Sequence, residues 1–438
     1  MPKASLPCIA VAVSGGADSL YTLLSLKEAG YPLFALHGIF GQPLLAEFTE
    51  YLAANGGTDH TTLLADGANA LQQLQEKCAA LGIPLHIVDF SDLFIEKVVR
   101  PFVQAFAHGA TPNPCALCNA EIKFGLLLEK ALELRADILA TGHYSQLVTL
   151  PQPPFEAGDK EQLSEGAGYC FPVAGQVPAL LQGTDASKDQ SYFLALTPAT
   201  NLARAIFPLG SITKSEVLAT LEGRGITPPV PGESQEICFI PGTLYREFLP
   251  FMAKKLGIAL PGEGAMLLPD GKQPAMHRGL WNYTEGQRRG LGVAWSEPLY
   301  VLGKDAGLNT LHIGPKPALR CDSLFCAEMN ILFPPHSWPA HNAGNQAAEG
   351  AESANSRPHP AYRVWVKTRY RSTLRQATVT LDSSINPARP GATVCFQEPD
   401  AAVAPGQLCA LYIPATSSPD SPMRLVAGGI ITSVAGAW

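Results

Sequence analysis

Several things are scarce in this 438-residue chain, and each scarcity excludes something. Charged residues make up only 16% of it, with a formal net charge of −7, which argues against indiscriminate binding to nucleic acid without forbidding a local basic face. No apolar run approaches the length of a membrane span, and Met1-Pro2-Lys3 leads into a strand pattern without a signal-peptide cleavage site, so no membrane partner and a cytoplasmic setting are expected. The 10 cysteines are scattered without a disulfide framework, and only one Cys-x-x-Cys occurs, which disfavours a four-cysteine zinc site. No glycine-rich turn ends in Gly-Lys-Ser/Thr, and the three-glycine dinucleotide spacing is missing after the first strand.

What is present begins with a hydrophobic content of 46%, enough to build two or three globular cores. Ile9-Ala10-Val11-Ala12-Val13 is a short apolar run of the kind buried in parallel sheets. Ser14-Gly15-Gly16-Ala17-Asp18-Ser19 follows as a tight turn. Apolar positions 20, 23, 24 and 26 then predict a helix closed by Gly30. Strand, glycine turn and helix start together make an anion site, because free N–H groups and the helix dipole face one point.

Further strands are expected at 33–37, 83–88 and 138–140, alternating with helices at 68–81, 93–107 and 120–134. That alternation predicts a doubly wound α/β sheet with its ligand beyond the strand C-termini, where both the first turn and Thr141-Gly142-His143-Tyr144 lie. Helical stretches at 198–206 and 214–223 follow, and residues 151–170 read as a surface insertion. From about Gly262, short strands with glycine turns predict a β-barrel or sandwich, interrupted at 333–360 by a segment expected to be a disordered loop.

Two further stretches carry chemistry. Thr111-Pro112-Asn113-Pro114-Cys115-Ala116-Leu117-Cys118-Asn119 is a rigidified Cys-x-x-Cys leading into a helix, where a lowered thiol pKa is expected. By itself it fits half a zinc site, a redox pair or packing cysteines. Cys238, within Ser234-Gln235-Glu236-Ile237-Cys238-Phe239-Ile240, is a single cysteine in an apolar run and gains interest only beside Cys118.

The turn Ser-Gly-Gly-x-Asp-Ser resembles the PP-loop of ATP pyrophosphatases, which split ATP between the α and β phosphates and adenylate a substrate. SGGADS, TPNPCALCNAEIKFG, ATGHY, SKDQSYFL, EICFI, GQRRGLG and KTRYR together resemble, in order, the tRNA-specific 2-thiouridylase (MnmA) family. The resemblance spans nearly the whole chain apart from the two insertions. It implies a PP-loop domain (adenine nucleotide α-hydrolase-like) at 1–207, a small central domain carrying Cys238 at 208–272 and a tRNA-contacting C-terminal β-barrel at 273–438. It also implies a tRNA-uridine 2-sulfurtransferase of the cytoplasm that adenylates the wobble uridine at O2, sulfur then displacing AMP. ATP and Mg²⁺ are the implied cofactors, and the implied partners are the tRNA anticodon arm and a persulfide sulfur-relay donor.

Residue by residue, the resemblance gives Cys238 the role of persulfide carrier and Cys118 that of the nucleophile which releases the sulfur, leaving a Cys118–Cys238 disulfide. ATP contacts carry over to Ala12, Val13, Ser14, Gly15, Gly16, Ala17, Asp18, Ser19, Gly38 and Gly142, with Asp18 facing Mg²⁺. The flipped base meets Asn113, Pro114 and Cys115. Contacts to tRNA fall on His143, Lys188, Asp189, Gln190, Arg369, Tyr370 and Gln407. From the residues alone, Lys367, Arg369, Arg371 and Arg375 cluster around Tyr370 with no acidic residue, a pattern that can grip phosphate and stack a base.

Two positions depart from the family pattern. Cys115 stands where many members have aspartate. Gly38 stands where a methionine lines the adenine pocket, which suggests a pocket rebuilt with Phe40. The trio Cys115, Cys118 and Cys238 also raises an alternative, an iron–sulfur cluster with one open iron. A small-molecule adenylating synthetase would need an ammonia source, and no such region appears. A silent tRNA-binding protein is disfavoured by the intact PP-loop and cysteines.

Overall fold

The computed structural model describes residues 6–55, 61–151, 176–230, 232, 237–240, 244–341, 360–384, 386–416, 418 and 421–436. Most of the expected insertion at 151–170 and of the segment at 333–360 lies outside them. The chain forms two compact units, the first from residues 1–103, 114–152 and 156–259, the second from 104–113, 153–155 and 260–438.

The first unit is built on a five-stranded parallel sheet of β1 (Ile9–Ala12), β2 (Leu33–Ile39), β3 (Leu85–Asp89), β4 (Ile138–Ala140) and, further along the chain, Ala205–Ile206, in the order β3-β2-β1-β4 with Ala205–Ile206 outermost. β1 pairs with β2 on one side and β4 on the other, so the crevice between β1 and β4 lies where chain direction across the sheet reverses. Residues 205–206 extend the sheet beside β4, where a helix was expected to continue. Only Ala199–Leu202 is helical there.

The helix after β1, Ala17–Glu28, ends as expected, with Gly30 at φ +81°. Its burial is two-sided. Leu20, Leu23 and Leu26 join Ile9, Val11, Leu74 and Ile138 against the sheet. Leu24 turns the other way, to Tyr144, Leu209, Val217 and Leu221. The second group is supplied in part by the helix Lys214–Gly223, which a Thr213/Glu216 capping box starts.

The helices expected at 93–107 and 120–134 are interrupted by wide turns. The first passes from Ser91–Phe94 through a π-helix at Ile95–Val99 into Arg100–Ala107. The second starts earlier, at Pro114–Cys118, then runs as a π-helix over Asn119–Leu127 before Leu128–Glu133. Helices at Gln42–Ala54 and Tyr245–Leu256 complete the unit with a cluster of rings around Phe48, Phe248 and Phe251. An antiparallel hairpin joins β5 (Ser145–Pro151) to β6 (Gln176–Gln182), preceding β7 (Ala205–Ile206).

The second unit carries two sheets. β8 (Gly264–Leu267), β9 (Ala275–His277), β10 (Leu299–Asp305) and β11 (Thr310–Pro315) pair in the order β10-β11-β8-β9 around Met266, Leu280, Val301 and Ile313. β12 (Cys321–Ile331), β13 (Ala361–Lys367), β14 (Arg375–Asp382), β15 (Gly391–Asp400), β16 (Leu408–Pro414) and β17 (Met423–Gly436) form a barrel closed by β12–β17 pairing. The start of the segment expected to be disordered at 333–360 is ordered. Trp338 is buried and its indole N–H donates to the Phe333 carbonyl, and Ala340 bridges to Tyr362.

Candidate functional site

The strand, glycine turn and helix start follow one another as the sequence predicts, and the geometry shows how the turn is held. Gly16 caps the helix without any side-chain bond, which leaves the first-turn N–H groups open, and Gly15 takes φ +85°, a conformation that favours glycine. Ser14 and Ser19 close the loop on itself: the Ser14 N–H donates to Ser19 Oγ at 3.2 Å, and Ser19 Oγ donates to the Gly16 carbonyl at 3.0 Å. The Val230 N–H donates to the Gly15 carbonyl at 3.1 Å, so the proline-rich stretch 227–230 lies against the loop.

Asp18 faces two donors inside the protein. Tyr144 Oη donates to Asp18 Oδ1 at 2.7 Å, and Lys214 Nζ pairs with the same oxygen at 2.7 Å. The carboxylate expected to face Mg²⁺ is thus committed to an ammonium. Among the described residues no group of three His, Cys, Asp or Glu side chains is placed to hold a metal ion. That holds for Cys115, Cys118 and Cys238 as well: these thiols are not assembled as cluster ligands.

The turn after β4 links nucleotide loop to cysteines. Gly142 packs on the backbone of Asp18, and a Cβ there would lie 3.0 Å from the Asp18 carbonyl carbon. The next residue, His143, uses both ring nitrogens, Nδ1 with Thr141 Oγ1 at 2.7 Å and Nε2 with Asn119 Oδ1 at 3.2 Å. Asn119 directly follows Cys118.

His143 was expected to meet tRNA. It is instead buried between the Phe124 and Phe207 rings, and desolvation holds its pKa well below the usual histidine value. Asp189 is likewise inside. Its carboxylate accepts from the Gly183 and Ser191 N–H groups, from Ser191 Oγ and from Gln182 Nε2, so it shapes its own turn. Gln190 pairs with the backbone of Tyr144 through its side-chain oxygen and its own N–H. Of this expected tRNA turn, Lys188 is the half-buried cation.

Cys115, Cys118 and Cys238 act on one another electrostatically. The expected lowered pKa at Cys118 is not found. Cys118 closes the short helix Pro114–Cys118, and the chain continues helically past it, so the thiol does not sit at a helix N-terminus. Burial raises it to about 12, and raises Cys115 to about 11. Cys238 is exposed along one side yet has enough protein around it to be raised too. Lys123 opposes the rise at all three.

Gly38 lies under the Phe40 ring, which fills the space where a side chain at 38 would project and packs near Phe90 and Phe94. Ala12 ends the strand as expected, whereas Val13, expected in the strand, lies just beyond it, and Ala17, expected in the turn, already starts the helix.

In the second unit, Thr111 is anchored by a buried network. Its hydroxyl donates to Glu285 Oε2 at 3.0 Å and accepts from Lys304 Nζ at 2.9 Å, with Lys304 and Glu285 3.5 Å apart. The Gln407 amide, expected at tRNA, donates to the Thr111 and Pro112 carbonyls at 2.8 and 3.2 Å. Asn113, half-buried, ends this anchored segment and leads into Pro114, which is buried. The basic run keeps Arg369 and Arg371 exposed, with Lys367 Nζ 5.8 Å from the Tyr370 ring centre. It is not free of acid, because Arg375 lies 3.8 Å from Asp400 of β15. Tyr144 and Lys123 lie within motifs visible in the sequence, which assigned neither a role, and Lys214 and Val230 carried no signal there: the Thr213–Glu216 capping box marks a helix start but no chemistry for Lys214.

Family models match along the chain: a tRNA methyl transferase HUP domain at residues 8–242, a tRNA methyl transferase PRC-barrel domain at 251–315 and an aminomethyltransferase beta-barrel domain at 348–418. Among curated relatives, the tRNA-specific 2-thiouridylase MnmA of Oleidesulfovibrio alaskensis is 42% identical over 97% of this chain and 99% of its own. That of Lawsonia intracellularis is 39% identical over 97% and 99%. That of Rhizobium meliloti is 34% identical over 97% and 91%.

Proposed function

We infer the function from one premise: the chain belongs to the MnmA family of tRNA-specific 2-thiouridylases. It is an ATP-using tRNA-uridine 2-sulfurtransferase, and its product is 2-thiouridine at the wobble position, with AMP and pyrophosphate. No helix among the described residues is long and apolar enough to cross a membrane.

The observation that carries the reading is the turn 141–144, which touches the PP-loop through Gly142 and Tyr144 and the cysteine helix through His143 and Asn119. Adenylation and sulfur transfer need such a junction, because the activated base must stay put between the two steps. In this reading the amides of residues 15–19 receive the β and γ phosphates. The uridine O2 attacks the α-phosphorus, and pyrophosphate leaves. The step is needed because a carbonyl oxygen leaves poorly and AMP leaves well.

Cys238 then carries the sulfur as a persulfide received from a relay protein. The Cys118 thiolate attacks Cys238 Sγ, the S–S bond of the persulfide breaks, and hydrosulfide departs as the Cys118–Cys238 disulfide forms. Hydrosulfide adds at C2 of the adenylated base, AMP leaves, and a thiol reductant resets the pair. Mg²⁺ would arrive with ATP and screen its phosphates. Asn113, Pro114 and Cys115 would border the flipped base, and Lys188, Arg369 and Tyr370 would contact tRNA. Gln407 would act indirectly, by holding residues 111–112.

The test is anaerobic thiolation of unmodified tRNA with ATP and a small-molecule persulfide. Cys118→Ser and Cys238→Ser should abolish thiouridine while ATP–pyrophosphate exchange persists, and Cys115→Ser should remain active. Wild-type protein that consumes ATP with this tRNA yet makes no thiouridine would overturn the reading.

A further inference from the structure

The half-buried Cys118 thiol, crowded by protein, poses a problem that the proposed sulfur transfer does not itself solve. A resolving cysteine must be a thiolate, and its surroundings favour the neutral form. The residue that answers this lies one wide turn along the same helix.

In an α-helix, a residue five positions on is rotated by about 140° from its starting point. In a π-helix, the wider turn bonds residues five apart, which brings i and i+5 onto the same face. The π-helix Asn119–Leu127 begins directly after Cys118, which brings Lys123 into line with it. The same spacing is visible at Gly125, where a Cβ would come within 3.1 Å of the Ala120 carbonyl oxygen.

Lys123 is half-buried and pairs with no carboxylate among the described residues. Its neighbour Glu121 is engaged by Lys97 at 2.8 Å. The titratable groups that act on Cys118 besides Lys123 are Cys115 from the preceding turn and Cys238 from the 237–240 segment; His143, which Lys123 also reaches, is kept neutral by burial. No carboxylate is among the charges acting on the three thiols.

We propose that Lys123 is the electrostatic positioning residue of the sulfur-transfer site, the fixed positive charge against which the Cys118 and Cys238 thiolates form. The proposal rests on the reading of Cys118 and Cys238 as the sulfur-handling pair. An ordinary α-helix through residues 118–127 would turn this ammonium away, which gives the π-helix a function.

The experiment follows alkylation of Cys118 and Cys238 by iodoacetamide, peptide by peptide, from pH 6.5 to 10 in the full-length protein. Wild type, Lys123→Gln and Lys123→Arg are compared, with Lys123→Leu as the second neutral variant should glutamine disturb folding. Loss of a neighbouring charge moves a thiol by about one pH unit or more, so Cys118 alkylation at pH 8 should fall about tenfold in the neutral variants. Arginine should restore it to within about twofold. Thiolation kcat should fall in parallel and recover at high pH, with the KM for ATP unchanged. A Cys118 profile that coincides in wild type and neutral variants overturns the proposal and leaves the thiolation reading standing. A fully active Cys118→Ser enzyme would overturn the thiolation reading and leave the alkylation result intact.

Discussion

Gly142→Ala tests the close approach of the β4 turn to the PP-loop. The added methyl would sit 3.0 Å from the Asp18 carbonyl carbon, 3.1 Å from its Cβ and 3.1 Å from its oxygen. Ordinary carbon contacts begin near about 3.5 Å, so the turn and the loop must separate by roughly half an ångström. All three neighbours belong to the first turn of the helix Ala17–Glu28, which is packed on both sides and cannot simply swing away. Overpacking of this kind costs about 1–3 kcal/mol. For a unit of this size that lowers Tm by roughly 2–12 °C.

A catalytic penalty should accompany the stability loss. Asp18 carries the Tyr144 and Lys214 contacts, and since a misplacement of about 1 Å costs about 100-fold in rate, the half-ångström shift here should cost about tenfold. The assay is ATP–pyrophosphate exchange with unmodified tRNA, paired with a thermal melt with and without ATP. Gly223→Ala is the control, since a Cβ at 223 meets nothing within 4 Å and lies in a helix, where alanine should be neutral or slightly stabilising. Gly142→Ala protein with wild-type exchange and melting behaviour would refute the contact argument.

Other perturbations follow from the same geometry. Lys304→Met should strand the buried Glu285 carboxylate and cost about 3–5 kcal/mol, read by urea unfolding, whereas Lys304→Met with Glu285→Leu should cost clearly less; equal costs would rule out an uncompensated charge. His143 has a folded pKa well below its unfolded value, so the folded state binds fewer protons, and stability should hold above about pH 6.5 and fall by up to ~1.4 kcal/mol per pH unit below it. His37 is lowered too and adds its own share, so the measurement is the difference in acid slope between wild type and His143→Gln, and identical slopes would contradict a neutral buried imidazole. Phe40→Ala should raise the KM for ATP roughly tenfold, about 1.4 kcal/mol, with kcat little changed; an unaltered KM would remove Phe40 from the adenine pocket.

The sequence by itself determined those features whose physics is local. A β-branched run followed by Ser14-Gly15-Gly16 and an apolar 20/23/24/26 pattern permits little besides strand, tight turn and helix, and all three are present, with Gly30 at the predicted left-handed stop. The all-β character of the C-terminal part was legible for a similar reason, but its short strands and glycine turns left barrel and sandwich open, and the β12–β17 pairing decides for the barrel. The seven ordered motifs identified the family.

What periodicity could not report is what a side chain meets from a distant part of the chain. Leu24 belongs to the same apolar pattern as Leu23, and only the arrival of the helix Lys214–Gly223 gives it a separate core. His143 and Asp189 carry the residue types of an RNA contact. Tertiary packing supplied them with internal partners and closed them off from solvent. Lys214 reaches Asp18 across 196 residues, a meeting that no local signal encodes. The wide turns at 119–127 are decided in the same way, because α- and π-helices share one hydrophobic signature and differ in which neighbour the backbone bonds. That choice sets whether Lys123 faces Cys118, and with it the charge available to the sulfur chemistry.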